Sequence, residues 1–225
     1  MLNYELILCK KTDIVITMTE EEAMLLRKYL PENKVIAHNT GVDCKFFCPN
    51  EIPEEQNTLI FVGYFKHEPN VDAMFYFIRD ILPLIKKEIP DIKLYIVGAY
   101  PPQALIDSQS ENIIVTGWVE DIRPYISKSS VYVVPIREGV GIRGKILEAW
   151  AMKKAVVVTS IGVQGLRVSD DINICIADTP EVFAQKTILL LKDKTFRNVI
   201  GAEGEKNASK YYDWDQQAIN HNKIY

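Results

Sequence analysis

The residues best able to do chemistry in this chain lie close together: Gly139, Gly141, Arg143, Lys145 and Glu148. Glycines let a ligand approach the backbone, and the unpaired N–H groups at a following helix start carry partial positive charge, which suits a phosphate. Arg143 and Lys145 add two cations, and Glu148 stands one helical turn further on as an acceptor for sugar hydroxyls. Together they describe a nucleotide-sugar site. The same pattern also fits a tight turn carrying two solvated cations, so the loop alone leaves both readings open.

The flanking elements give the loop its frame. Val131–Val134 is an uncharged β-branched and aromatic run, the pattern of a strand buried on both faces, and Pro135 ends it. After the loop, Ile146, Leu147, Ala149, Trp150 and Met152 follow helical spacing, and Ala155–Val158 is the next strand. Strand, glycine loop, helix and strand make a βαβ unit with parallel strands. Further strands are read at Leu59–Val62, Lys93–Val97, Ile113–Val115 and Ile174–Ile176, with helices between them. Asn70 is read as the cap of a helix burying Val71, Met74, Phe75, Ile78, Ile81, Leu82 and Ile85, and Pro83 implies a kink or an early end. Shorter helices are expected from Gln103 and over Asp121–Lys128, and a longer one over Pro180–Lys192. Alternation over residues 58–195 predicts an α/β fold, a doubly wound Rossmann-like parallel sheet that binds ligands beyond the carboxyl ends of its strands.

Composition narrows the function classes. The 225 residues are 48% hydrophobic and 25% charged, with a formal net charge of −4, which gives no general affinity for nucleic acid or anionic membranes. No apolar run reaches a membrane span and no signal-peptide pattern opens the chain, so the expected location is cytoplasmic, with peripheral association at the inner membrane face compatible. Cys9, Cys44, Cys48 and Cys175 are scattered without a matching metal-ligand pair, and are expected to be free thiols. His38, His67 and His221 lie far apart in sequence and support no nucleophilic triad.

Residues 1–50 hold a short strand at Ile14–Ile16, a helix capped by a threonine and opened by Glu20–Glu22, and a strand at Lys34–Ala37. Two strands and a helix bury no core alone, so this part is expected to be the remnant of a truncated N-terminal domain. Residues 51–57 read as an acidic linker, 58–195 as the ligand-binding domain, and 196–225 as a helical segment that packs back on the N-terminal part. Tyr211, Tyr212 and Trp214 in that segment are expected to serve packing.

A set of short motifs then carries a resemblance. Phe61-Val62-Gly63, Pro69-Asn70-Val71-Asp72-Ala73, Ile81-Leu82-Pro83, Ile96-Val97-Gly98, Thr116-Gly117-Trp118-Val119, Val133-Val134-Pro135, Lys145-Ile146-Leu147-Glu148-Ala149 and Gly162-Val163-Gln164-Gly165-Leu166 occur in this order. The set resembles the C-terminal domain of family 4 retaining glycosyltransferases of the GT-B fold. Asn39-Thr40-Gly41-Val42-Asp43 is similar to their interdomain Asn-Gly-Val-Asp loop, with Thr40 inserted. The resemblance implies the donor half of a hexosyltransferase, which moves a sugar from a nucleotide diphosphate sugar to a glycan or lipid-linked acceptor with retention. It implies contacts to the donor from Gly63, Lys66, Gly139, Val140, Gly141 and Ile142, to the ribose from Glu148, and to the base from Trp118 and Val119. Glu138, Arg143 and Lys145 are its catalytic candidates, the two cations neutralising the leaving diphosphate. No cofactor or metal is expected, since helix dipole and cations face the diphosphate and no Asp-x-Asp motif lies near the loop.

This chain departs from the family pattern in three ways. The usual pair of glutamates is separated by seven residues; counted back from Glu148, that position is Val140, and Glu138 lies two residues earlier. After Gly63, only Lys66 matches the basic pair common in relatives. The acceptor domain is almost wholly missing. An alternative is therefore a non-catalytic nucleotide-sugar-binding subunit or remnant that needs a separate acceptor-domain polypeptide. A nucleotide-sugar epimerase shares fold and ligand, while a nicotinamide dehydrogenase conflicts with Gly63-Tyr64-Phe65-Lys66-His67-Glu68, which lacks the glycine fingerprint.

Overall fold

A computed structural model of the chain describes residues 2–31 and 34–222. Met1, residues 32–33 and residues 223–225, which belong to the expected N-terminal remnant and C-terminal segment, lie outside the described residues. The elements in chain order are α1 (Leu2–Lys10), β1 (Val15–Thr17), α2 (Glu20–Arg27), β2 (Val35–Ala37), β3 (Thr58–Val62), α3 (Glu68–Tyr76), α4 (Leu82–Glu88), β4 (Lys93–Val97), α5 (Gln103–Ile106), β5 (Ile113–Gly117), α6 (Arg123–Lys128), β6 (Val131–Val134), α7 (Gly144–Ala151), β7 (Val156–Val158), β8 (Cys175–Ile176), α8 (Pro180–Lys192), α9 (Lys194–Tyr211) and α10 (Trp214–His221).

Six strands form one sheet in the order β5-β4-β3-β6-β7-β8, and every pair is parallel. The chain winds outward from β3 to β5, then crosses back and winds the other way from β6 to β8. Strand order therefore reverses between β3 and β6, and a crevice opens there beyond their carboxyl ends. Leu59, Ile60, Phe61, Val131, Tyr132, Val133 and Val157 are all fully buried, as central strands covered on both faces must be. α7 buries Ile146, Leu147, Ala149 and Trp150.

Pro83 neither ends the long helix nor simply kinks it. It lacks an N–H and crowds the preceding turn, and the chain accommodates this with a π-helical stretch at Phe77–Ile81, in which the Leu82 N–H reaches back to the Phe77 carbonyl. α3 and α4 thus follow one another around the proline.

β1 and β2 form a separate two-stranded parallel sheet joined by α2. The helix begins with a capping box: Thr19 Oγ1 accepts from the Glu22 N–H, and the Glu22 carboxylate accepts from the Thr19 N–H. α1 was not anticipated, because residues 2–10 carry no strong apolar periodicity. The chain after β2 meets the C-terminal segment: the Val42 N–H donates to the Tyr212 carbonyl at 2.8 Å and the Trp214 N–H to the Val42 carbonyl at 3.1 Å. Of the three aromatics there, Tyr212 is fully buried, while Trp214 is exposed over much of its ring. Residues 51–57 carry neither helix nor strand, yet Glu54 is paired with Arg197 and Glu55 accepts from the Tyr95 hydroxyl at 2.7 Å.

Candidate functional site

The crevice between β3 and β6 is built from the two loops that leave those strands. On the β6 side, Gly139 (φ +97°) and Gly141 (φ +86°) take left-handed conformations that carry a steric cost for other residues. Arg143 precedes α7 and folds back under this loop. Its guanidinium donates to the Val140 carbonyl at 2.6 Å and to the Glu138 carbonyl at 3.3 Å. The Nε is buried with no hydrogen-bond partner among the described residues, and burial pulls the guanidinium below its usual pKa. Arg143 therefore braces the loop from inside.

Lys145 and Glu148 lie one turn apart on α7. The Lys145 amino group turns inward, donates to Asn70 Oδ1 at 2.7 Å, and sits 4.0 Å from the centre of the Phe61 ring. Burial lowers its pKa to about 7, Glu148 opposing the shift and Arg143 adding to it. The Glu148 carboxyl is raised above its usual pKa by burial, with Lys145 opposing. Among the described residues this carboxylate has no hydrogen bond or ion pair, Lys145 acting on it only through its charge, so its oxygens remain available as acceptors. Tyr132, fully buried on β6, faces Glu148 from the sheet.

Asn70 corrects the sequence expectation. The helix starts at Glu68, with His67 in the capping position and no side-chain cap, so Asn70 does not cap it. Its side chain instead spans the crevice, with Nδ2 donating to the Tyr64 carbonyl at 2.8 Å and Oδ1 accepting from Lys145. Gly63 makes room for it, because a Cβ there would lie 2.8 Å from the Phe61 ring and 3.2 Å from Asn70 Cγ. The sequence signal was a small polar residue in a first helical turn; its partner is 75 positions away and visible only in the fold.

The structure thus gathers Gly63, Gly139, Val140, Gly141, Ile142, Arg143, Lys145 and Glu148 around one crevice. Glu138 is exposed, and its carbonyl rather than its carboxylate holds Arg143. Lys66 lies outside the Lys145 cluster: it is exposed, 4.3 Å from the centre of the Tyr100 ring, which stacks edgewise with Tyr64. Trp118, 73% exposed, and Val119 follow β5, two strands from β3. A cavity of about 370 Å³ adjoins the glycine loop, lined by Val140, Gly141, Gln164 and Gly165 on one side and by Thr19, Glu21 and Glu22 at the start of α2 on the other.

Comparison with known proteins bears on the family and the fold. Residues 56–193 match the family model described as glycosyl transferases group 1. An uncharacterised 44.6 kDa protein in the cps region of Klebsiella pneumoniae is 26% identical over 139 residues, which is 58% of this chain and 36% of that protein. The structure of TarM superposes with a TM-score of 0.81 at 14% identity, covering 99% of this chain and 45% of TarM; a Staphylococcus aureus TarM variant has been crystallised with fondaparinux, α-GlcNAc-glycerol and UDP. Sucrose-phosphate synthase from Thermosynechococcus elongatus gives 0.77 at 20% identity, over 98% of this chain and 59% of the synthase. The C-terminal domain of a glycosyl transferase group 1 protein from Francisella tularensis gives 0.62 at 22% identity, over 77% of this chain and all of that domain. The chain thus spans about a third of the Klebsiella relative and about half of the TarM and synthase chains. With the family model matching more than half of its residues, the chain belongs to the glycosyl transferases group 1 family.

Proposed function

We propose that this chain is the donor half of a retaining hexosyltransferase that moves a sugar from a nucleotide diphosphate sugar to a glycan or lipid-linked acceptor. The observation that carries the reading is the crevice at the reversal of strand order, where the braced glycine loop, the start of α7, Lys145 and the unengaged Glu148 carboxylate converge. In this reading the diphosphate lies against the loop amides and the α7 start, with Lys145 and Arg143 supplying positive charge as the leaving group departs. Glu148 accepts the ribose hydroxyls. Trp118 and Val119 meet the base, and Glu138 reaches the sugar in place of the glutamate absent at Val140. The two cations and the helix start meet the charge of the leaving group without calling for a metal ion. UDP in the TarM complex supports a nucleoside diphosphate as the common ligand part.

A second reading, a donor-binding subunit completed by a separate acceptor-side polypeptide, is favoured by one specific observation. Tyr4, Ile7, Leu8, Met18, Met24, Leu25 and Tyr29, all on or near α1, β1 and α2, are each exposed, and an apolar surface that a partner covers would carry such residues. Product analysis separates the two. Incubation of this chain, joined in one polypeptide to an acceptor domain, with UDP- and GDP-sugars and glycan acceptors, with the anomeric configuration read by proton NMR, gives a retained linkage in the first case. Donor binding without transfer, and transfer restored by an added acceptor-side polypeptide, selects the second. An inverted linkage refutes retention.

A further inference from the structure

Asn70 occupies a place where a carboxylate would pair more strongly with a lysine. It is 7% exposed, and both ends of its amide are engaged. With Nδ2 on the Tyr64 carbonyl, only the oxygen can face Lys145, so the amide orientation is set by the network. The contact links the loop after β3, the first turn of α3 and the first turn of α7. Phe61 forms the floor beneath the amino group, and Gly63 keeps the space in which Asn70 sits. The charged and titratable groups around Lys145 are Glu148 on α7, Arg143 in the preceding loop and, facing Glu148 from β6, Tyr132. β3 and α3 offer only Phe61 and Asn70, neither of them charged. Glu148 favours the ammonium through its field but makes no direct ion pair with Lys145 among the described residues, so the side chain in hydrogen-bonding contact with the amino group is the neutral Asn70.

We infer that Asn70 is the positioning residue for Lys145: its amide oxygen holds the amino group in the crevice without cancelling its charge, which leaves that charge to be met by an anionic group of the ligand. The inference rests on the donor-binding reading above, in which the anionic group is the diphosphate. A neutral acceptor supports the ammonium by one hydrogen bond, whereas a carboxylate would occupy it as a counter-ion and compete with the ligand.

The test compares wild-type protein with Asn70→Asp, which is nearly isosteric, and Asn70→Ala. Lys145 is first titrated without ligand, by NMR of ¹³C-lysine-labelled protein. UDP affinity is then measured by calorimetry from about pH 6 to about pH 9. In Asn70→Asp the Lys145 midpoint is expected to move up, UDP binding to weaken by about tenfold or more at neutral pH, and the decline of affinity with pH to start later. In Asn70→Ala the midpoint moves down, because the charged form loses its acceptor. An unmoved Lys145 midpoint in Asn70→Asp overturns the inference, as does a loss of UDP affinity that is uniform across pH. A Lys145 midpoint that moves up in Asn70→Asp, in a protein that binds no UDP, upholds the positioning contact and refutes the donor-binding reading instead.

Discussion

Lys145 makes the proposed site a proton-linked one, and the size of the linkage follows from its surroundings. Burial over the Phe61 ring sets the amino group's pKa at about 7 in the unliganded chain. The amine is then about half charged at pH 7 and about one-tenth charged at pH 8, whereas a lysine at its ordinary value is fully charged at both. A bound diphosphate stabilises the ammonium and raises its pKa, so the charged form is recruited on binding. Affinity is therefore highest where the amine is charged, well below pH 7, and falls as pH rises, approaching about tenfold per pH unit where the amine is mostly neutral. Binding should take up a fraction of a proton at neutral pH and more at pH 8, where the amine is more largely neutral and the terminal phosphate is already ionised. Calorimetric titration with UDP at pH 8, repeated in buffers of different ionisation enthalpy, reads the uptake from the dependence of observed heat on buffer. Lys145→Met should abolish the uptake and weaken binding by about 1.5–3 kcal/mol. Zero uptake by a wild-type chain that binds UDP would refute the placement of the diphosphate against Lys145.

Other substitutions probe separate parts of the frame. Glu148→Ala removes the free acceptor and should weaken nucleotide binding by about 1–3 kcal/mol with little change in thermal stability, as read by calorimetry and melting together. Arg143→Ala releases the Val140 and Glu138 carbonyls and should weaken binding by a similar amount through a loosened loop, with raised amide exchange confined to residues 138–142 as its signature. Gly98→Ala would place a Cβ 1.8 Å from the Gly63 carbonyl oxygen at a φ of +138°, and relieving that overlap should cost about 3 kcal/mol or more. Thermal melting should then show a fall of roughly 6–12 °C, and an unchanged Tm would contradict the packing of the β3 and β4 ends.

Much of the parallel sheet was legible because its strands are short, mostly apolar runs ended by Gly63, Gly98, Gly117 and Pro135, and its helices carry apolar residues at helical spacing. The glycine loop with Arg143, Lys145 and Glu148 was legible for the same local reason. What the sequence hid was long-range. Arg143 and Lys145 look alike as two cations in one first turn, but one folds under its own loop and the other crosses to Asn70 on a different helix. Asn70 read as a cap because a polar residue at a helix start commonly bonds locally, and here the tertiary partner won. Lys66 was grouped with the site by its place after Gly63, yet it is turned to Tyr100, which holds a left-handed conformation at φ +60° on the neighbouring loop. The π-helical stretch before Pro83 was hidden because a proline signals only that the regular ladder must yield, not how.

Whether the crevice between β3 and β6 holds the nucleoside diphosphate of a sugar donor is read by calorimetric titration of the folded chain with UDP and GDP, with Glu148→Ala in parallel. One of the two nucleotides should bind with a Kd in the micromolar to millimolar range, and Glu148→Ala should weaken it. A folded chain that binds neither, or a Glu148→Ala variant with undiminished affinity, would contradict that placement.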